Sequence, residues 1–394
     1  SAKTRREGAV KDRPLAVDAV LSFTADLHQR LAADPGNVVS SPYSVAVALA
    51  MSRNGARGQT ASEMDDVLHA PELGGLNGGL NVLTALIESR AGSRTRADGS
   101  RATISLDVAN SLWGQHDTAW RLAFLDDLAT HYGAGMHLVD YTEDPESARD
   151  LINAWASKRT HGRIPEILPP GVLDQLVRLV LVNAIYLQAP WERPFQSDLT
   201  KVRPFARDDG SRVDVDTMTG MLDRAGYGSG PGWQAARLLY AGGELAMTVI
   251  LPDHGGLASF EQSLDAARLT QILSSISPVP VLRLQLPRWK FRTQVTLNDH
   301  LGALGMPTAF KETQADFSGM TAEEQLFIKA VMHEAFIAVD EKGTEAAAAT
   351  AVVIGIVSAP AVTPLTVDRP FVFVIHDVET STPLFIGRVV DPSA

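Results

Sequence analysis

The chain has 394 residues, 45% of them hydrophobic and 21% charged, enough apolar material for one large domain or two ordinary ones. Lys and Arg number 35 against 46 Asp and Glu, a net charge of −11, which argues against nucleic acid and anionic membrane as partners. Cysteine is absent, so disulfides, thiolate catalysis and cysteine-held zinc or iron–sulfur centres are excluded.

The opening SAKTRREGAVKDRPL is basic and lacks the apolar stretch of a signal peptide, so residues 1–14 are read as a flexible tail. No apolar run reaches the ~20 residues of a membrane helix. The compartment stays open: extracellular after removal of a signal not in this chain, or cytoplasmic. Val17, Val20, Phe23, Leu27 and Leu31 recur at helical spacing, and Asp34-Pro35-Gly36 ends that helix. Asn37–Met64 reads as a short strand, a Ser-Pro helix start, a helix of small residues, a glycine turn and a further helix. Gly and Arg residues from Gly92 to Arg101 read as a loop, and Thr103–Gln115 alternates as a strand does. Residues 119–133 and 144–160 read as helices, and Leu176–Gln188 as a fully buried strand. Strands follow at 212–219, 234–241, 244–251, 280–287 and 289–296, with a helix at 258–276, a short helix at 296–306 and a buried strand at 327–340. Leu365–Ile375 reads as one more strand. Helices lead the first half and strands the second, without a linker between, which suits a single α+β domain.

Catalytic signatures fail one by one. There is no Gly-Lys phosphate loop and no G-x-S-x-G elbow. Gly226–Gly232 has Pro231 where a third glycine belongs, and reads as a surface turn. His333-Glu334 begins like H-E-x-x-H, but Ile337 holds the second His position. The expectation is no enzyme, no cofactor and no metal.

One segment is unusual. Asp340–Pro360 lies between two strong strands, and about two dozen residues of connector inside a compact domain is improbable without a function. Gly343 offers a hinge, Ala346–Thr350 are small, and Ala351, Val352 and Val353 favour a strand. The pattern suits an exposed bait that can later become a strand. Here the sequence resembles the serpins from about residue 15 to 392. The resemblance rests on NVVSSPYS (Asn37–Ser44), LVNAIYLQAPWERPF (Leu181–Phe195), LGALGMPTAF with DFSGMT (Leu301–Thr321), EKGTEAAAAT (Glu341–Thr350), LTVDRPFVFVI (Leu365–Ile375) and PLFIGRVVDP (Pro383–Pro392). With 27 Arg to eight Lys, the composition suggests a bacterial, actinobacterial member.

The resemblance implies an α+β serpin domain over 15–394, with three β-sheets, a large central sheet, about nine helices and an exposed reactive-centre loop at about 341–364. It implies a monomeric suicide inhibitor whose partner is a serine protease. The protease is held as a covalent acyl-enzyme after loop cleavage and insertion. It places the loop hinge at Glu341, Gly343, Thr344, Ala346, Ala347, Ala348, Ala349 and Thr350. The scissile bond is Val357–Ser358, with Ile356–Val357 and Ser358–Ala359 as alternatives. A branched aliphatic residue there points to elastase-like proteases first, chymotrypsin- or subtilisin-like ones next. Ser41, Ser44, Asn183 and His333 match the shutter under the large sheet, and Trp191 the aromatic at the breach where the loop enters. Arg90, Arg94, Arg96 and Arg101 form no clear basic helix, so no heparin-type cofactor is expected. The alternative is a non-inhibitory serpin acting as a binding or chaperone-like protein.

Overall fold

Pro14 sits in the first turn of the first helix, where a missing N–H costs nothing, and the apolar positions that follow keep one face buried. The computed structural model describes residues 5–344 and 361–394. Among these residues there are nine α-helices: α1 (Arg13–Leu31), α2 (Pro42–Arg53), α3 (Gly58–Val67), α4 (Leu73–Glu88), α5 (Leu122–Asp127), α6 (Pro145–Arg159), α7 (Leu257–Gln262), α8 (Ala266–Ser275) and α9 (Asn298–Leu304). The strands of the first half are β1 (Val38–Ser40), β2 (Gly92–Thr95), β3 (Arg101–Gln115), β4 (Met136–Val139) and β5 (Leu179–Pro190). Then come β6 (Lys201–Ala206), β7 (Arg212–Asp223), β8 (Gly226–Gly230), β9 (Trp233–Leu239), β10 (Leu245–Pro252), β11 (Ser277–Pro278) and β12 (Val281–Pro287). The last are β13 (Trp289–Thr296), β14 (Ala330–Asp340), β15 (Gly343–Thr344), β16 (Val362–Thr366), β17 (Phe371–Asp377) and β18 (Pro383–Val389).

They form three sheets: β13-β14-β15-β5-β3-β2 with β4 alongside β3, β1-β18-β17-β10-β9-β8-β11, and β16-β12-β7-β6. The first is the central sheet here. Its β5 is apolar on both faces because both are covered. One face shares a core with α1, α2, α4 and the β10–β17–β18 sheet. The other is covered by α6 and Ile164–Val177. A third core packs α7 and α8 on the far side of β9, β10 and β17.

The structure corrects several expectations. Residues 5–14 do not stand off as a tail: Arg6 N–H donates to Thr130 O at 3.0 Å, Arg5 reaches Asn81 Oδ1 at 3.0 Å, and α1 already begins at Arg13. Gly92–Arg101 is not a loop but the β2–β3 hairpin corner. Gly226–Gly230 is a strand paired with β9, and Gly226 and Gly228 are needed because Ile276 lies over them: a Cβ on Gly226 would sit 2.8 Å from that side chain, while Gly230 lies under Trp233. The expected helix at 119–133 becomes α5 and a π-helical turn, Leu128–Tyr132, and the one at 258–276 splits into α7 and α8. Leu365–Ile375 splits at Asp368–Pro370 between β16, which pairs with β12, and β17, which pairs with β10 and β18. Proline cannot continue a ladder. β16 starts at Val362, inside the span expected for the loop. Helix α4 was not anticipated: four glycines in LGGLNGGLNVLTALIE conceal it, and Gly79 is there because Asp12 and Ala16 press against it.

Candidate functional site

β5 and β14 are direct parallel neighbours from Ala330↔Val180 to Ala335↔Ile185. Beyond that pair they part, and at the far end β15 lies between them. Thr344 stands opposite Val339 and Ala189, and Gly343 opposite Asp340 and Pro190. The chain reverses through Glu341-Lys342 to enter this slot. Gly343 has φ +151°, and a Cβ there would meet Ala189 O at 2.3 Å and Pro190 Cα at 2.7 Å. Only glycine lets the chain approach β5 this closely.

The turn is fastened on every side. Trp191 donates its backbone N–H to Lys342 O at 2.8 Å and its indole N–H to Asp340 O at 3.0 Å. Its ring stacks on Tyr240 at 4.6 Å with a 7° tilt, and Tyr240 Oη meets Thr344 Oγ1 at 2.7 Å. Arg96 Nε donates to Trp191 O at 2.8 Å. Glu341 is buried; Arg288 Nε donates to its two oxygens at 2.8 and 3.0 Å, Arg288 Nη2 also donates to Oε1, Thr200 Oγ1 adds a fourth bond, and Phe195 N–H reaches its carbonyl at 2.8 Å. Burial raises the Glu341 carboxyl pKa, but the bonds from Arg288 and Thr200 outweigh it and hold the group below its usual value.

At the closed end of the same strand pair lies a buried polar cluster. His333 and Asn183 are direct partners in the β14–β5 register. Ser41 N–H donates to His333 Nε2 at 3.1 Å, so the ring proton sits on Nδ1 and donates to Asn183 Oδ1 at 2.5 Å. Asn183 Nδ2 donates to Ser44 Oγ at 2.5 Å and to Asn110 Oδ1, and Ser44 Oγ donates to Asn110 Oδ1 at 2.9 Å. Ser41 also caps α2, accepting Ser44 N–H at 3.4 Å ahead of Pro42. Ser41, Ser44, Asn183 and His333 are fully buried, and burial pushes His333 down to about 4, so it stays neutral. On the opposite face Glu334 is 1% exposed, with Arg292 at 3.4 Å; burial pushes it up to about 7 and Arg292 offsets only part of that.

The structure therefore brings Ser41, Ser44, Asn183 and His333 into one cluster and Trp191, Glu341, Gly343 and Thr344 into another, at the two ends of one strand pair. Ala346–Thr350, Val357 and Ser358 lie outside the described residues. Of the arginines considered for an anionic cofactor, Arg90 is buried against Asp377, Glu244 and Glu379, and Arg94 holds Glu244. Asn110, Tyr240, Thr200 and Arg288 were missed. Asn110 faces Asn183 in the β3–β5 register, a partner no local pattern shows, and Arg288 acts across 53 residues. Among the described residues no group of His, Cys, Asp and Glu could hold a metal ion, and no helix is long and apolar enough to cross a membrane.

The family model for serpin (serine protease inhibitor) matches residues 18–392. Leukocyte elastase inhibitor A of Mus musculus is 35% identical over 386 residues, covering 94% of this chain and 97% of that protein. A serpin-like protein of Thermococcus kodakarensis is 36% identical over 390 residues, covering 97% and 87%. The crystal structure of the thermophilic serpin tengpin in its native state superposes with a TM-score of 0.85 at 27% identity, covering 95% of this chain and 94% of that one. Serpin48 of Tenebrio molitor gives 0.82 at 28% identity, covering 97% and 98%.

Proposed function

The chain belongs to the serpin family, and we propose that it traps apolar-preferring serine proteases as a suicide substrate. The protease attacks the bait after Val357, and its serine forms an acyl-enzyme as Ser358 leaves with the new amino terminus. The freed segment then enters the central sheet behind Thr344, between β5 and β14. The carrying observation is the wedge. The two strands touch at one end and are already separated at the other by Gly343–Thr344, which leads directly to the small residues Ala346–Thr350. Small side chains pass between packed strands with little steric resistance.

The energetics support it. About ten new ladder hydrogen bonds at a net ~1 kcal/mol each, with some apolar burial, come to order 10 kcal/mol. That is comparable with the 5–15 kcal/mol that holds a protease domain together. Removing one oxyanion-hole donor slows acyl transfer only ~10²–10³-fold, so lasting capture needs gross distortion of the protease. The chain itself contributes no catalytic group. A branched aliphatic residue before the bond, and no Arg or Lys from Gly343 to Asp368, suit a small apolar pocket of the elastase kind. The likeness to leukocyte elastase inhibitors supports the same choice.

Incubation with pancreatic elastase and with chymotrypsin, followed by a denaturing gel and mass spectrometry, tests this. The expected result is a denaturant-resistant adduct and a released peptide beginning at Ser358. Clean cleavage with fully active protease refutes trapping.

A further inference from the structure

Beside the hinge contacts lies a cavity of about 600 Å³, within the range of small-molecule sites. Leu222, Ala225, Leu238, Ile276 and Pro278 line it with apolar surface. Four arginines and two acids complete the wall: Arg96, Arg193, Arg224, Arg237, Glu192 and Asp223. Most of these charges are committed. Glu192 accepts Ala97 N–H at 2.6 Å and Gly242 N–H at 2.8 Å. Asp223 faces Arg193 at 3.7 Å, and Arg96 serves Trp191 O and Ser100 Oγ.

Arg224 and Arg237 differ. The Arg224 side chain is exposed and has no hydrogen bond or ion pair among the described residues, on a backbone at φ +52° that non-glycine residues seldom adopt. Arg237 is half-buried. One amino group caps the last turn of α8 through Leu273 O, which accounts for a single one of its five donors. Its Nε is buried without a partner, and no carboxylate pairs with it. Burial lowers its pKa with nothing to offset it. In a chain of net charge −11, an arginine without a counter-ion at the wall of an apolar cavity is a site short of one negative charge.

We propose that this cavity binds a small amphiphilic carboxylate, its head between Arg237 and Arg224 and its hydrocarbon tail along Leu222, Leu238 and Ile276. A neutral ligand leaves the Arg237 charge without a counter-ion. A phosphate ester brings a second charge into a mainly apolar wall. The carboxylate supplies one charge and two acceptor oxygens, one for the remaining amino group of Arg237 and one for Arg224.

Octanoate and octan-1-ol have matched tails and are the probes for calorimetric titration of the intact protein. The expected result is one octanoate per chain, with octanol at least about tenfold weaker, the value of one charge-assisted hydrogen bond. Arg237→Gln is expected to cost about tenfold. Because Arg237 also caps α8, Arg224→Gln, at an exposed position, is the second variant and is expected to weaken octanoate while leaving octanol binding and the melting temperature unchanged. A diazirine-bearing alkyl carboxylate should label peptides within 222–239 or 273–278. Equal affinity for the two probes, wild-type affinity in both variants, labelling elsewhere, or no octanoate binding at millimolar concentration each overturns the proposal.

Discussion

Asn183→Ala removes the centre of the buried cluster. Its Oδ1 takes the His333 Nδ1 proton and its Nδ2 serves Ser44 and Asn110, with every atom of Asn183 out of water. After the deletion Ser44 and Asn110 still bond to each other at 2.9 Å, so the damage concentrates on His333. One buried donor is left unsatisfied, at about 1–3 kcal/mol, and a small cavity adds to it. We expect a total of about 3 kcal/mol. For a chain of 394 residues the unfolding entropy is about 0.8 kcal/mol/K, so the melting temperature should drop by about 4 °C. Differential scanning calorimetry at pH 7.5 measures it. The companion Asn183→Asp keeps an acceptor on His333 but adds a negative charge beside it. It should raise the His333 pKa from about 4 toward or above its ordinary value and remove that residue's share of acid destabilisation. A drop below 1 °C in Asn183→Ala, or an unchanged acid profile in Asn183→Asp, would refute the account of this cluster.

The wild-type pH profile follows from three buried groups. His333 and His376 both fall to about 4, so the unfolded chain binds their protons first, and their contribution is lost as pH drops from 6.5 toward 4. Glu334 rises to about 7, binds its proton more tightly when folded, and opposes them between 4.5 and 7. The net is one proton, so stability should rise by about 3 kcal/mol from pH 4.5 to 6.5, and Glu334→Gln should steepen the slope; denaturant midpoints against pH decide this. Gly343→Ala forces a methyl against Ala189 O at 2.3 Å and should lower the melting temperature by several degrees, whereas alanine at Gly36, with nothing within 4 Å, should cost little beyond its φ strain. Glu341→Gln keeps the shape but loses the charge that Arg288 grips through Nε and Nη2, and should destabilise by about 1–2 kcal/mol, less at high salt because Arg288 is partly exposed. Val357→Arg should redirect capture from elastase to trypsin, read as adduct formation on a denaturing gel.

Much of this was legible in the sequence because it is local. Ser41-Pro42 announces α2, the apolar run around Leu181 announces a covered strand, and Gly343 announces a hinge, although not that the chain turns straight back between β5 and β14. The motifs that resemble serpins added the fold and grouped Ser41, Ser44, Asn183 and His333. What stayed hidden depends on register and distance. Asn110 joins the cluster only because β3 places it across from Asn183, and Arg288 reaches Glu341 only once β13 lies against β14. Arg5 becomes part of the body through Asn81 and Glu88, far along the chain. Gly226 and Gly228 of β8 resembled a turn because their cause, Ile276, lies about fifty residues away.

The two clusters also give the proposed strand insertion a direction. At the closed end six register pairs and the His333–Asn183 bond must be broken before anything can enter. At the open end Thr344 already lies between Val339 and Ala189, and only the next residue has to follow. Insertion from that end would replace one β5–β14 contact by two new ladders, so each residue would gain hydrogen bonds as it went in. On that path His333–Asn183 would be the third of the six pairs to part, after Ala335 and Glu334. The cluster's polar groups must find new partners in the widened sheet, since left unmet they would cost about 1–3 kcal/mol each. Weakening the cluster should therefore ease opening, while weakening the grip of Trp191 and Glu341 should change when insertion begins. Asn183→Ala and Glu341→Gln separate these effects: the first should speed spontaneous conversion of the uncleaved chain to a more heat-stable form, and the second should alter the rate at which cleaved loop is captured. If both variants changed the same rate by the same factor, the two ends would not act in sequence.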